Sequence, residues 1–400
     1  MTRIMWVSNA MHSNTGYGIQ SRLFVPRIKK LGYEMAVFGF YGVEGSLMNF
    51  NGIPCYPKAV HPYGQDVVRA HAQHFQADYI LTLMDTWVIQ PMNMQPVPWV
   101  AYYPVDHDPM PPKVKESIMH ANYRIAMSKF GVKATQEMGM SCGYVPHAVD
   151  TNLYKMIDKT EARERMKFPK DAYIVGTVAM NKGIPSRKCF PQMLEAFRNF
   201  KRRHTSAVYL LHSQMGTGQD GLGGVNLPEM CSLLGLQVGK DVFFSDQYMM
   251  MLGFNEEYMS LLYSSFDVML LTSAGEGFGV PLIEAQACGC PVITGGWTAM
   301  PELVRSGHII DKKDADKSWT GIASYNYLPR IKAIENALEL EYKKPSPRER
   351  ARKAMVEEYD VEVVMEKNWK PVLEDIDKEL ARTRERWAKM QELRAEAAND

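Results

Sequence analysis

Val268-Met269-Leu270-Leu271-Thr272, continued by Gly275-Glu276-Gly277-Phe278-Gly279-Val280-Pro281-Leu282-Ile283-Glu284 and by Ala285-Gln286-Ala287-Cys288-Gly289-Cys290-Pro291-Val292-Ile293, is the stretch on which the fold turns. The apolar run at its head reads as a buried parallel strand. Gly275 to Gly279 then make a turn in which backbone can approach a neighbour closely, because glycine carries no Cβ. Val280 onward reads as a helix, with Pro281 in its first turn, where a missing amide costs nothing and φ is already helical. Free amides and the positive end of the helix dipole face whatever lies above the strand, an arrangement that favours a phosphate.

Glu276 stands on the loop before that helix and Glu284 about one turn inside it. Taken alone, the pair has two readings. They are incidental surface glutamates on the strand-loop-helix of any α/β protein, or carboxylates flanking a diphosphate, one reaching a sugar and the other a ribose. The spacing resembles the Glu-x7-Glu motif of retaining GT-B glycosyltransferases of family 4, and similar landmarks recur in that family's order over roughly residues 3 to 372. The resemblance implies an α/β fold of GT-B type: two Rossmann-like, doubly wound parallel-sheet domains facing a central cleft, with a C-terminal helix crossing back to the first domain.

Composition sets wider limits. Four hundred residues exceed what one core usually supports, so two domains are expected. A hydrophobic content of 46% with 23% charged residues is that of a globular protein rather than a disordered or fibrous one. The net charge of +1 makes no demand for a polyanionic partner. Six cysteines are scattered, and the one close pair, Cys288-x-Cys290, has neither zinc nor thioredoxin spacing, so reduced thiols in a cytoplasmic protein are expected. The apolar stretch at Ile4-Met5-Trp6-Val7 is far too short for a signal peptide, and no later run reaches the length of a membrane span, so no integral membrane association is expected.

The chain reads as two similar halves. Strands are expected at Ile4–Val7, Met35–Phe40, Tyr79–Leu83, Trp99–Tyr103, Arg124–Met127 and Gly143–Pro146, separated by helices, as in a parallel doubly wound sheet. The polar run Pro146 to Thr151 marks a boundary. A second series follows at Ala172–Ala179, Ala207–Leu211, Val242–Phe244, Val268–Leu271 and Pro291–Ile293, with a helix near Lys188 to Arg203. The expected domains are 1–150 (acceptor side), 151–355 (nucleotide-sugar side) and 356–400 (crossover helix and charged extension). The glycines from Gly216 to Gly224 read as an insertion or a mobile lid. Ile376, Leu380, Trp387, Met390 and Leu393 recur near coiled-coil spacing, which fits either a homodimer contact or a solvated helix along its own protein.

By resemblance, Glu276 holds donor-sugar hydroxyls and stabilises positive charge developing at the reacting carbon, and Glu284 accepts from the ribose. Gly277, Phe278 and Gly279, with the helix start, take the diphosphate. Arg187 and Lys188 resemble the family's basic pair before a helix, and would stabilise the leaving group, since most of the barrier is charge separation. One departure stands out: the family's usual arginine falls on Met180 here, so Arg187 or Lys182 must replace it. Gly16 and Gly18 follow the first strand and look like the loop beside donor phosphate and acceptor. Asp106 and His107, in a proline-stiffened loop, sit where the family places a residue under the donor sugar. A metal site there is the competing idea; the family needs no divalent cation, so no cofactor is expected beyond the nucleoside diphosphate sugar as co-substrate. Ser128 to Gly131 reads as a further landmark or as a helix cap with a structural turn.

The implied reaction is retaining transfer of a hexose, from a UDP-sugar by default, to a hydroxyl acceptor by front-face displacement. The acceptor is open among small molecules, glycans, lipids and modified bases in DNA. The rival readings are a catalytically silent sugar-nucleotide-binding subunit and a glycosyltransferase whose acceptor is a modified base in DNA; a sugar phosphorylase would want a pyridoxal-binding lysine motif, which is not found.

Overall fold

The computed structural model describes residues 1–216 and 223–397, with residue 384 and those from 387 onward as backbone only. Most of the glycine loop from Gly216 to Gly224, and the side chains of Trp387, Met390 and Leu393, therefore lie outside the described residues. The chain forms two compact units: residues 1–104, 113–146 and 362–400 in the first, and 105–112 and 147–361 in the second.

The first unit is built on β1 (Arg3–Asn9), β2 (Glu34–Tyr41), β3 (Met48–Phe50), β4 (Ile53–Pro57), β5 (Tyr79–Leu83), β6 (Trp99–Tyr103), β7 (Tyr123–Ala126) and β8 (Gly143–Tyr144). They lie in the order β3-β4-β2-β1-β5-β6-β7-β8, parallel throughout except for the β3–β4 edge hairpin. Central strands such as β5 and β6 are buried along their whole length, which is why they read as continuous apolar runs: a parallel sheet is covered on both faces. Helix α1 (Gly16–Lys30) follows β1, capped by the Thr15 hydroxyl on the Gly18 amide.

The second unit carries β9 (Ile174–Val178), β10 (Val208–His212), β11 (Val242–Phe244), β12 (Val268–Leu271), β13 (Val292–Gly295) and β14 (Gly307–Ile310), in the order β11-β10-β9-β12-β13-β14. All neighbours in this sheet are parallel. Numbered within the unit this is 3-2-1-4-5-6, the doubly wound order whose direction reverses between its first and fourth strands, here β9 and β12. Helices α2 (Lys159–Met166), α3 (Phe190–Lys201), α4 (Val280–Ala287) and α5 (Arg348–Glu358) belong to this unit, as does a separate antiparallel hairpin of β15 (Ala315–Trp319) and β16 (Tyr325–Pro329).

One expected boundary needs correction. Residues 105–112 leave the first unit's sequence range to join the second, so a cut at 150 misassigns Asp106 and His107. As expected, the C-terminal segment returns to the first unit: α5 ends before Tyr359, Val149 and Asp360 form a β-bridge, and residues from Glu362 belong to the first unit. There Trp369 packs on Trp6, Phe24 and Tyr102 at ring separations of 5.7, 5.3 and 5.4 Å. Of the two readings of the last helix, Ile376 and Leu380 of α6 (Lys370–Ala397) follow the one along its own protein: both are buried within the first unit, with the Tyr33 hydroxyl donating to Asp377 at 2.9 Å.

Candidate functional site

The loop leaving β12 is pinned almost residue by residue. The Ser273 carbonyl accepts from the Trp297 indole at 2.9 Å, the Ala274 amide donates to the Arg187 carbonyl at 2.8 Å, and the Ala274 carbonyl accepts from the Tyr327 amide at 2.8 Å. The Glu276 amide donates to the Thr298 hydroxyl at 3.1 Å. Between them Gly275 is obligatory: a Cβ there would sit 2.0 Å from the Asp106 carbonyl oxygen. Gly279, at φ +111°, turns the chain into α4, with Pro281 in the first turn as expected.

Two stretches of backbone brought together in this way carry a compact charge cluster. Glu276 is buried, and its Oε1 meets the Lys188 ammonium. Arg187 NH1 lies 3.5 Å from Glu276 Oε2 and 3.7 Å from Asp106 Oδ2, and donates to the Gly275 carbonyl at 2.6 Å. Asp106 Oδ1 is 2.7 Å from His107 Nδ1. Arg187 and Lys188 come from the loop after β9 and Glu276 from the loop after β12, so the cluster sits at the switch point of the second sheet, where ligands of doubly wound folds bind. The basic pair also precedes α3, whose N-terminal end carries the positive partial charge of the helix dipole. Three positive elements converge there, and carboxylates answer them.

The electrostatics follow from that convergence. Burial alone would raise the Glu276 carboxyl, but Lys188 and Arg187 outweigh it and hold it below the usual range. Asp106 is likewise pulled down despite desolvation, by its hydrogen bond with His107 and by the Arg187 charge. Desolvation lowers Lys188, helped by the neighbouring Arg187 and opposed by Glu276. Removing one member of such a buried pair typically costs about 3–5 kcal/mol, because the other charge is stranded.

Glu284 is equally buried but has different company. Its Oε2 accepts from the Tyr263 hydroxyl at 2.8 Å, and Tyr154 lies close enough to help. Desolvation dominates and pushes the carboxyl up to about 7, the phenols offsetting only part of it. Incidental surface glutamates would be exposed; neither of these is.

The remaining candidates divide. The Phe278 ring is buried against His147 at 5.1 Å and Tyr359 at 6.1 Å, and burial lowers His147 to about 3, which makes it a neutral core ring. Gly277 remains in the turn between Glu276 and α4. Met180 and Lys182 are exposed on the loop after β9, while Arg187 alone of the candidate replacements is shown against Glu276 and Asp106. Gly16 and Gly18 belong to the first unit; Gly18 has a local reason, since a Cβ there would meet the Ser13 hydroxyl at 2.1 Å. Ser128 caps its helix by accepting from the Gly131 amide at 2.9 Å. Thr298, Trp297, Tyr263 and Tyr154 were not found from sequence; the Gly295-Gly296 pair at the end of β13 was the one available signal for the first two. Among the described residues, no group of three or more His, Cys, Asp or Glu could hold a metal ion, and no helix is long and apolar enough to cross a membrane. All six cysteines are unpaired.

Residues 240–354 match the family model "Glycosyl transferases group 1". Among curated proteins the chain is 25% identical over 171 residues to "Uncharacterized glycosyltransferase 335" of Sulfolobus islandicus rod-shaped virus 1, an alignment covering 42% of this chain and 46% of that protein. The chain spans less than half the length of the curated relatives it matches first. Among solved structures it resembles sucrose-phosphate synthase from Thermosynechococcus elongatus, with a TM-score of 0.65 and 16% identity over 97% of this chain and 100% of that one. It also resembles Anabaena Alr3699/HepE in complex with UDP-glucose, with a TM-score of 0.66 and 17% identity over 94% of this chain and 100% of that one. The fold is thus that of the GT-B glycosyltransferases.

Proposed function

We propose that this protein is a retaining glycosyltransferase of family 4 type that moves a hexose from a nucleoside diphosphate sugar, a UDP-sugar, to a hydroxyl acceptor. The observation that carries the reading is the pairing of Arg187 and Lys188 with Glu276 at the sheet's switch point, with Glu284 eight residues further on. The family match across residues 240–354, which includes both glutamates, supports it.

The chemistry asks little else of the protein. As the bond from the anomeric carbon to the diphosphate oxygen breaks, negative charge grows on the leaving group and positive charge on the sugar. Arg187 and Lys188 stabilise the first, and the ionised Glu276 holds the sugar hydroxyls and eases the second. The acceptor hydroxyl attacks from the face the diphosphate leaves, and its proton passes to a diphosphate oxygen, so no carboxylate nucleophile is needed on the opposite face. In this the plan differs from the two-carboxylate hydrolases. Glu284 accepts from the ribose, and Asp106 and His107 lie under the donor sugar. Two protein cations supply the charge that a divalent metal would otherwise bring, so turnover survives EDTA.

Release of nucleoside diphosphate from a panel of UDP-, GDP- and ADP-sugars tests the reading, with Glu276→Ala as the control. Turnover of at least one donor, lost in the control, is the expected result. Tight nucleotide binding without turnover of any donor would replace the enzyme by a silent binding subunit.

A further inference from the structure

The hairpin β15–β16 stands apart from the parallel sheet as a two-stranded ladder running from Ala315↔Pro329 to Trp319↔Tyr325. A lone hairpin is marginal in water, so its order must come from what it packs against. Its contacts lead to the two loops of the charge cluster. The Tyr327 amide donates to the Ala274 carbonyl at 2.8 Å, two residues before Glu276. The Tyr325 carbonyl accepts from the Asp108 amide at 3.1 Å, two residues after Asp106, and the Ser324 hydroxyl donates to the Pro109 carbonyl. Asp108 is then gripped through its side chain: Lys312 reaches Oδ2 at 2.6 Å, and the Tyr327 hydroxyl lies 3.3 Å from the same oxygen. The Lys312 ammonium also sits 4.6 Å above the Tyr327 ring.

Tyr327 therefore ties both loops, one through its backbone and the other through its hydroxyl. Its ring is buried and packs on Trp297 at 5.9 Å, whose indole in turn holds the Ser273 carbonyl. The two loops must be registered closely, because Gly275 passes the Asp106 carbonyl with no room for a Cβ. Asp106 faces Arg187 across 3.7 Å, so a small slip of its loop would release that contact.

We propose that Asp108, held by Lys312 and Tyr327, is a positioning residue: through it the hairpin keeps Asp106 and His107 in register with Gly275, Glu276 and Arg187. The kinetic consequence rests on the proposed transfer reaction; the geometric one does not.

The test uses the full chain and reads the two separately. Lys312→Met, Asp108→Asn and Tyr327→Phe remove the grip, and Lys312→Arg preserves it. Lys312 is partly exposed and Tyr327→Phe keeps the packed ring, so these two variants fold even if Asp108→Asn does not. Without any substrate, the ring nitrogen resonances of His107, assigned by comparison with His107→Gln, should shift in Lys312→Met and Tyr327→Phe and return to wild type in Lys312→Arg, with unchanged melting. With the preferred donor, nucleoside diphosphate release should slow about tenfold in the same two variants, while the dissociation constant for the nucleoside diphosphate stays unchanged. Unaltered His107 resonances in both variants would overturn the proposal. Absence of turnover in the wild type would sink the transfer reaction and leave the resonance measurement to decide this inference alone.

Discussion

Glu276 and Glu284 lie eight residues apart, one before α4 and one within it, both almost fully buried, yet their surroundings drive them in opposite directions. Glu276 meets two cations and stays ionised below the usual carboxylate range, whereas Glu284 meets two phenols and rises to about 7. Burial is the same for both, so it is the partners that decide the charge state. Under the proposed transfer reaction, the difference suits a division of labour. A permanent anion belongs beside a sugar that becomes electron-poor, and a carboxyl held only by hydroxyl groups belongs where it exchanges them for those of a ribose.

The sharpest way to break this comparison is Glu276→Ala, which strands Lys188. We expect turnover to fall about 10²–10³-fold while nucleoside diphosphate affinity holds within about threefold. Intact turnover, measured as diphosphate release, would take Glu276 out of the chemistry. Next in size is Glu284→Ala. A lost charge-assisted hydrogen bond to the ribose corresponds to roughly a tenfold to hundredfold weaker nucleotide dissociation constant by calorimetry, with turnover at saturating donor less affected. A large loss of turnover with unchanged affinity would reverse the two assignments.

The two carboxyls should also have opposite pH signatures. For Glu284 the folded value of about 7 lies above the reference of 4.5, so the fold holds the proton over that window. Its stabilising contribution is full below the lower value and is lost as pH rises through about 7, at most on the order of 3 kcal/mol. Glu276, being depressed, contributes above its unfolded value and loses that contribution as pH falls through its folded one. Thermal melts should therefore show Glu284→Gln more stable than wild type at pH 8 but not at pH 5, and Glu276→Gln less stable at pH 8. Identical pH profiles for the two variants would remove the contrast. The smallest expected effect is that of Tyr263→Phe. Deleting the hydroxyl that donates to Glu284 should move the pH midpoint of nucleotide binding upward by up to about one unit, and a downward shift would contradict the assigned donor.

The local structure around the candidate site was legible in the sequence where it has a local cause. The apolar run of β12, the glycine turn and Pro281 each have one local explanation, and together they place Glu276 and Glu284 without reference to the rest of the chain. Phe278 shows the limit of such reading: nothing local says where its ring goes, and it packs on His147 and Tyr359, far away in sequence. The hairpin escaped notice because Ala315 to Trp319 and Tyr325 to Pro329 are short and mix polar with aromatic residues, without the continuous apolar run that marked the parallel strands. Asp108 likewise looked like one more polar residue in a proline-rich loop, since the groups that grip it come from 204 and 219 residues further along.

The positions of the parallel strands along the chain and the turn into α4 follow from hydrophobic runs, glycine and proline, whose preferences act within a few residues. The charge states do not. Whether a buried carboxylate is an anion or carries its proton depends on which groups the fold places within a few ångströms, and those groups come from the loop after β9 for Glu276 and from Tyr154 and Tyr263 for Glu284. The same holds for Asp106, which a division by sequence assigns to the first unit and the chain delivers to the second, beside Gly275. Coulombic and hydrogen-bond energies depend on separation in space, so only the tertiary structure could assign them.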